Sequence, residues 1–358
     1  MTASALPRGL GSDGLAAWVR GRPLVVAGAL LVALALTLVA GVGLGTVPIG
    51  PAEALGVILR RTVGLDLGIT WTPAVETIVW DLRVPRVLTA MVIGSGLAVA
   101  GVTFQGLLRN PLADPYVLGT ASGAALGAAI AVLLPINVAI LAFSLLHGLA
   151  FGGALFAAWL VFRLGGGGGA GGLTRLLLTG YAIASVLTAF LTLAMYVSGS
   201  ELRQIFSFLL GGLAAASWPR LALAAPLIIG TCVLVYRRAQ ALDGMLLGDA
   251  AAHHLGIDVR RERRALLALG SMATAAGVAI SGLIGFVGLV VPHVVRLVVG
   301  PAASRVVPIS ALAGAWLLAT ADLVARMLGD IPVGVVMALI GAPFFVLLLG
   351  RSRARYEL

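Results

Sequence analysis

Uncharged apolar runs of about 20 residues recur from one end of this chain to the other, and a run of that length is what a helix needs to cross the hydrocarbon core of a bilayer. Inside a bilayer no water is available to bond free backbone groups, so the runs are predicted to be helices and the chain an all-α, polytopic membrane protein. The 60% hydrophobic residues, the 11% charged residues and a mean hydropathy of +1.08 lie outside the range of soluble domains. The formal net charge of +10 would point to nucleic acid in a soluble chain, but here the arginines fall between the apolar runs. In that position they fix membrane topology, and no nucleic-acid partner is expected.

Two absences narrow the chemistry. The chain has no lysine, which excludes a lysine-bearing phosphate loop and a Schiff base, so ATP is not expected to bind in the usual GxxxxGK[ST] way. Cys232 is the single cysteine and lies in an apolar run, so there is neither a disulfide framework nor a thiolate metal site.

Residues 1–22 read as a polar tail on the cytoplasmic side, 23–350 as one membrane domain, and 351–358 as a second cytoplasmic tail. The first span is expected from Leu24 to Val47, followed by a mixed outer segment over 48–82. Further spans are expected near 86–108, 118–134, 138–162, 175–198, 220–236, 265–284, 285–300 and 306–328, with a tenth from Pro332 to Arg351. Pro292 and the glycines at 282, 285 and 288 predict a bent or incomplete eighth helix. A helix-like outer segment is expected over 201–212, and the GGGGGAGG stretch, 165–172, as a flexible inner linker. This topology puts 17 of the 24 basic residues inside, whereas the 14 acidic residues divide almost evenly, seven inside and six outside with Asp322 within a span. A bias confined to arginine is the positive-inside pattern, with both termini cytoplasmic.

The longest polar interruption, Tyr236 to Arg264, is flanked by arginines and is too ordered for a spacer. Leu242 to Leu247 is expected to form one short helix and Gly248 a turn, with Asp249 as the N-cap of a second helix that Gly256 stops in the left-handed conformation. Two short helices outside the membrane make a handle for a partner.

Gly119, Gly123 and Gly127, at four-residue spacing, mark a stripe for close helix packing, either static or at a moving interface. Tyr181, Ser185, Thr188 and Thr192 fall in a hydroxyl-rich span that either lines a wet path or bonds its own helix. His147 and His293 lie in separate spans, and adjacent His253 and His254 diverge on a helix, so no metal site is expected. A proton- or sodium-driven transporter would need ionisable residues in mid-span, and only Asp322, near a span end, comes close. No set with catalytic spacing is present, so no catalytic residues are assigned.

Four blocks carry a resemblance: LRVPRVLTAMVIGSGLAVAGVTFQGLLRNPLADPYVLGTASGAALG, LLGDAAAHHLGI, SGLIGFVGLVVPHVVRL and ADLVARM followed by IPVGVVMALIGAPFFVLLLGR. In this order they resemble the FecCD-type permeases of binding-protein-dependent ABC importers, which import iron–siderophores, haem or vitamin B12. The resemblance implies a type II ABC importer permease fold in a bacterial inner membrane, as a homodimer or paired permease. It also implies two cytosolic ATPase subunits that hold the ATP and Mg, an extracytoplasmic substrate-binding protein, and no cofactor in this chain. The matching positions Leu246, Leu247, Gly248, Asp249, Ala250, Ala251, His253, Leu255 and Gly256 would form the loop that couples to the ATPase. Arg83, Arg86 and Arg326 would meet acidic residues of the binding protein. Gly172, Leu173 and Thr174 stand where the vitamin B12 member has a Ser/Thr constriction, so a gate here is expected to be apolar or glycine-based.

Overall fold

The computed structural model describes residues 22–45, 47–134, 136, 139–140, 143–165 and 172–353. Most of both tails and of the glycine-rich linker therefore lies outside the described residues. Fourteen helices are described: α1 (Pro23–Gly43), α2 (Pro51–Val63), α3 (Pro73–Leu107), α4 (Thr120–Leu133), α5 (Leu145–Gly165), α6 (Gly172–Val197), α7 (Leu202–Leu210), α8 (Trp218–Arg237), α9 (Ala239–Leu246), α10 (Asp249–His254), α11 (Val259–Ser281), α12 (Val287–Val299), α13 (Ala303–Met327) and α14 (Val333–Arg353). Ala139–Ile140 and Phe143–Ser144 pair briefly as antiparallel strands ahead of α5.

Seven of these helices are long and apolar enough to cross a membrane, and α4, α12 and residues Val333–Leu348 of α14 are shorter apolar helices. Together they account for the ten apolar runs. Proline starts α1, α2 and α3, where its fixed φ suits the first turn and its missing N–H costs nothing.

Several boundaries differ from expectation: the first span ends at Gly43 rather than Val47, the fourth begins at Leu145 rather than near 138, and the seventh begins at Val259 rather than near 265. The second span does not begin near residue 86: α3 runs unbroken from Pro73 to Leu107, through one π-type stretch over Thr77–Arg83, so Arg83 and Arg86 are inside the helix. The third begins at Thr120, because Pro115–Leu118 form a 3-10 turn and Gly119 takes a left-handed φ of 72°. The eighth helix, α12, is short as expected, at 13 residues with Pro292 inside it. The interruption precedes that helix, between Gly282 and Phe286, and Phe286 itself has a φ of 68°.

The core is arranged around α3. Its apolar window is 78% buried, against 17% for those of α1 and α6. The helices packed on it include α13, α11, α8 and α12. Glycine permits the closest of these approaches: a Cβ on Gly94 of α3 would collide with the backbone of Gly314 on α13. Similarly, Gly123 and Gly127 of α4 face the backbones of Gly153 and Leu149 on α5. Two of the three stripe glycines therefore serve packing, and Gly119 serves the turn.

Candidate functional site

At one end of the bundle the polar interruption folds as two short helices, α9 and α10, joined through Leu247 and Gly248. Gly248 has a φ of 112° and Gly256, after α10, a φ of 78°, values that only glycine adopts readily. The expected left-handed stop at Gly256 is in place. Asp249 is not the N-cap: that position belongs to Gly248, and Asp249 is the first helical residue. Its carboxylate is taken by two arginines instead. Arg263 of α11 donates to both oxygens at 2.9 and 2.8 Å, and Arg109, just past α3, donates to Oδ1. These hydrogen bonds, Arg263 first, hold the Asp249 carboxyl below its ordinary range.

The rest of the mount is equally specific. Leu242 and Met245 of α9 and Ala252 of α10 are buried; Gly106 leaves room for Leu242, and Gly244 for Ile257. Asp243 accepts a hydrogen bond of 2.8 Å from the Ala303 N–H, one of the free donors at the start of α13. The outer surface is apolar by contrast: Leu246, Leu247 (71% exposed) and Leu255 (64%) stand out beside exposed Ala250, His253 and His254. Exposed leucines thus stand on an ion-paired support, a surface of the kind that marks interaction sites.

At the opposite end, Arg83, Arg86 and Arg326 come together, and all three are nearly buried. Arg83 donates to the carbonyls of Val42 at 2.7 Å, Gly43 at 3.0 Å and Val47, covering the free C-terminal carbonyls of α1. Arg86 grips Asp322 through Nε and a terminal nitrogen at 3.0–3.1 Å and reaches Asp330 at 2.7 Å. Arg326 pairs with Asp322 at 3.2 Å and donates to the Gly41 carbonyl at 2.9 Å. Asp322, the acid that an ion-driven mechanism would need free, is wholly buried between two guanidinium groups. A cleft of about 370 Å³ opens beside Arg86 and Asp330, with His147, Gln204, Ser207 and Arg220 also in its wall.

Along α6, Tyr181, Ser185, Thr188 and Thr192 share one exposed stripe, Tyr181 being 76% exposed. Ser185 and Thr192 donate to carbonyls one turn back, and the Thr188 hydroxyl meets that of Ser122 at 3.2 Å, so bonding within the helix holds for two of these hydroxyls. Gly172, Leu173 and Thr174 form the first turn of α6 rather than preceding it, and Thr174 is exposed. Buried His147 meets the Ser144 hydroxyl at 2.7 Å, and His293 faces the Phe344 ring. Among the described residues no group of three His, Cys, Asp or Glu side chains comes together as a metal site.

Sequence reasoning missed Arg109, Asp243 and Arg263 as loop anchors. It also missed Gln105 at the foot of α3, which donates to the carbonyls of Gly288 and Leu289 and accepts from Arg296. A glutamine amid an apolar run was the available signal.

The haemin transport system permease of Yersinia pestis is 40% identical over 309 residues, covering 84% of this chain and 92% of that protein. The cobalamin import permease of Halobacterium salinarum is 40% identical over 292 residues, covering 81% and 78%, and the Fe(3+) dicitrate permease FecD of Escherichia coli is 38% identical over 279, covering 77% and 86%. A solved metal-chelate type ABC transporter in an inward-facing conformation superposes with a TM-score of 0.78 at 29% identity, covering 92% of this chain and 99% of that one. The model of the FecCD transport family matches residues 30–351, and with relatives this similar over most of their length the chain belongs to that family: it is the permease subunit of an ABC importer, and ATP hydrolysis resides in a separate subunit.

Proposed function

We propose that this permease carries a large metal chelate (an iron–siderophore, haem or cobalamin) inward by alternating access. The similar permeases are named for haemin, cobalamin and ferric dicitrate, and their common property is a metal enclosed in an organic ligand. Such a cargo needs a wide, forgiving wall rather than a ring of carboxylates. The exposed stripe of Tyr181, Ser185, Thr188 and Thr192 on α6 fits that need. It faces a second copy across a shared path, with Gly172, Leu173 and Thr174 at the gate.

The observation that carries the reading is the loop end: exposed Leu246, Leu247 and Leu255 beside Ala250, Ala251 and His253, held on the mount of Asp249, Gly248 and Gly256. This surface seats a cytosolic ATPase, one for each of two permeases, so the loop and both termini lie in the cytoplasm of a bacterial cell. An extracytoplasmic binding protein docks at the other end, where Arg86 is the reachable member of the arginine trio. Arg83 and Arg326 hold α1 in place beneath it.

Affinity purification of the full chain from its native membranes is expected to bring down one ATPase and one binding protein, identified by mass spectrometry. Proteoliposomes of that complex are expected to accumulate one of haemin, cyanocobalamin or ferric dicitrate only when ATP is supplied to the ATPase side. Accumulation driven by a proton or sodium gradient without ATP would sink the proposal.

A further inference from the structure

The exposed helix α10 is attached to the bundle differently from α9. The first short helix is held by buried Leu242 and Met245 and by the bond from Ala303 to Asp243. Among the described residues of α10, Asp249 alone makes side-chain hydrogen bonds or ion pairs, both with arginines, while Ala252 is its buried contact. Those arginines differ in reach. The side-chain hydrogen bonds of Arg263 go to Asp249 of α10, whereas Arg109 donates through Nε to the Met245 carbonyl of α9 at 2.8 Å and through a terminal nitrogen to Asp249. One guanidinium therefore spans the Leu247–Gly248 turn and pins both short helices together. Arg109 also has a φ of 48°, a conformation disfavoured for a residue with a Cβ and retained where surrounding contacts hold it. It sits two residues beyond the end of α3, the most buried element of the bundle.

We infer that Arg109 is a positioning residue for energy coupling: it locks α9 and α10 into one lever and delivers the movement of that lever to the foot of α3. This rests on the reading of the loop as the ATPase seat. The lever model needs a planar, two-pronged donor. Lysine can keep the charge beside Asp249, but it is a single point donor and does not reproduce the fork.

The test uses the complex purified from native membranes, with the chain carrying Cys232→Ser and an environment-sensitive fluorophore on Leu328→Cys. Leu328 is 63% exposed and caps α13 at the end far from the loop. Adding ATP, Mg and vanadate is expected to change the fluorescence. Measured per ATPase retained and at equal hydrolysis, that change is expected to fall at least fivefold in Arg109→Gln and about twofold in Arg109→Lys. An undiminished change in both variants would overturn the role of Arg109. So would loss of the ATPase from the Arg109→Lys complex, since the residue would then act in docking, and so would the absence of any change in the unsubstituted chain despite hydrolysis. If the unsubstituted chain retains no ATPase, the seat itself is wrong, and the inference falls with it for a separate reason.

Discussion

Asp322 has no surface exposure, yet it is balanced by Arg86 on one side and Arg326 on the other. Removing one partner of a buried pair leaves charge uncompensated, at a cost of about 3–5 kcal/mol. Asp322→Ala is therefore expected to lower the thermal unfolding midpoint in detergent sharply, and more than Asp330→Ala, whose carboxylate is 46% exposed. Comparable losses for the two variants would contradict this account of Asp322. Asp114 makes the opposite case. It lies between α3 and α4, caps the Pro115–Leu118 turn by accepting from the Tyr116 N–H at 2.8 Å, and is pushed by burial up to about 6 from 3.8. A carboxyl whose folded value is raised favours folding in its protonated form, so this contribution is present below about 3.8 and disappears as pH rises through about 6. The unfolding midpoint is expected to fall with pH across that window in the unsubstituted chain, and Asp114→Asn, measured at the same pH values, to flatten the fall.

Helices meet here through backbone as much as through side chains. At the α3–α13 crossing, Gly94 and Gly314 each place a carbonyl where the other's Cβ would go, so Gly94→Val or Gly314→Val is expected to force the pair apart and abolish folded yield in size-exclusion chromatography. Gly28→Val and Gly230→Val, on α1 and α8 with no atom within 4 Å of an added Cβ, are expected to express normally. Elements of this kind were legible in the sequence because their causes are local: apolar runs set the ten helices, and Gly256 needed only its own φ to stop α10. Contacts between elements were not legible. Asp249 stood where an N-cap is common, but its partners lie 14 and 140 residues away. Asp322 looked like a lone intramembrane acid because Arg86, 236 residues earlier, gives no local sign of reaching it. For Arg83 and Arg326, expected from the resemblance to meet a binding protein, sequence registers a charge near a span end and not the carbonyls of α1 to which each donates.

For the whole molecule, the two ends of the bundle have different characters: an apolar knob on an arginine-rich loop at one, and a closed ion-pair network beside a cleft at the other. In the Cys232→Ser background, an impermeant maleimide applied to intact spheroplasts is expected to label Leu328→Cys and spare Leu247→Cys, both exposed positions, with the pattern reversed in inside-out vesicles. Labelling of both from one side would refute the proposed topology. One helix connects these ends. At about 1.5 Å per residue the 35 residues of α3 make a rod of about 52 Å, well beyond a hydrocarbon layer of about 30 Å. Trp80 of α3 packs against Trp218 of α8 with ring centroids 4.9 Å apart, and tryptophan favours the headgroup level. With that pair at the water boundary, the stretch from Trp80 to Leu107, about 40 Å at the same rise, spans the membrane, and the turns before it project clear of the lipid. Bilayer thickness thus sets how far the Arg61–Glu76 ion pair stands above the lipid. Lipids with shorter acyl chains would expose more of the rod, and thicker membranes would tilt it less.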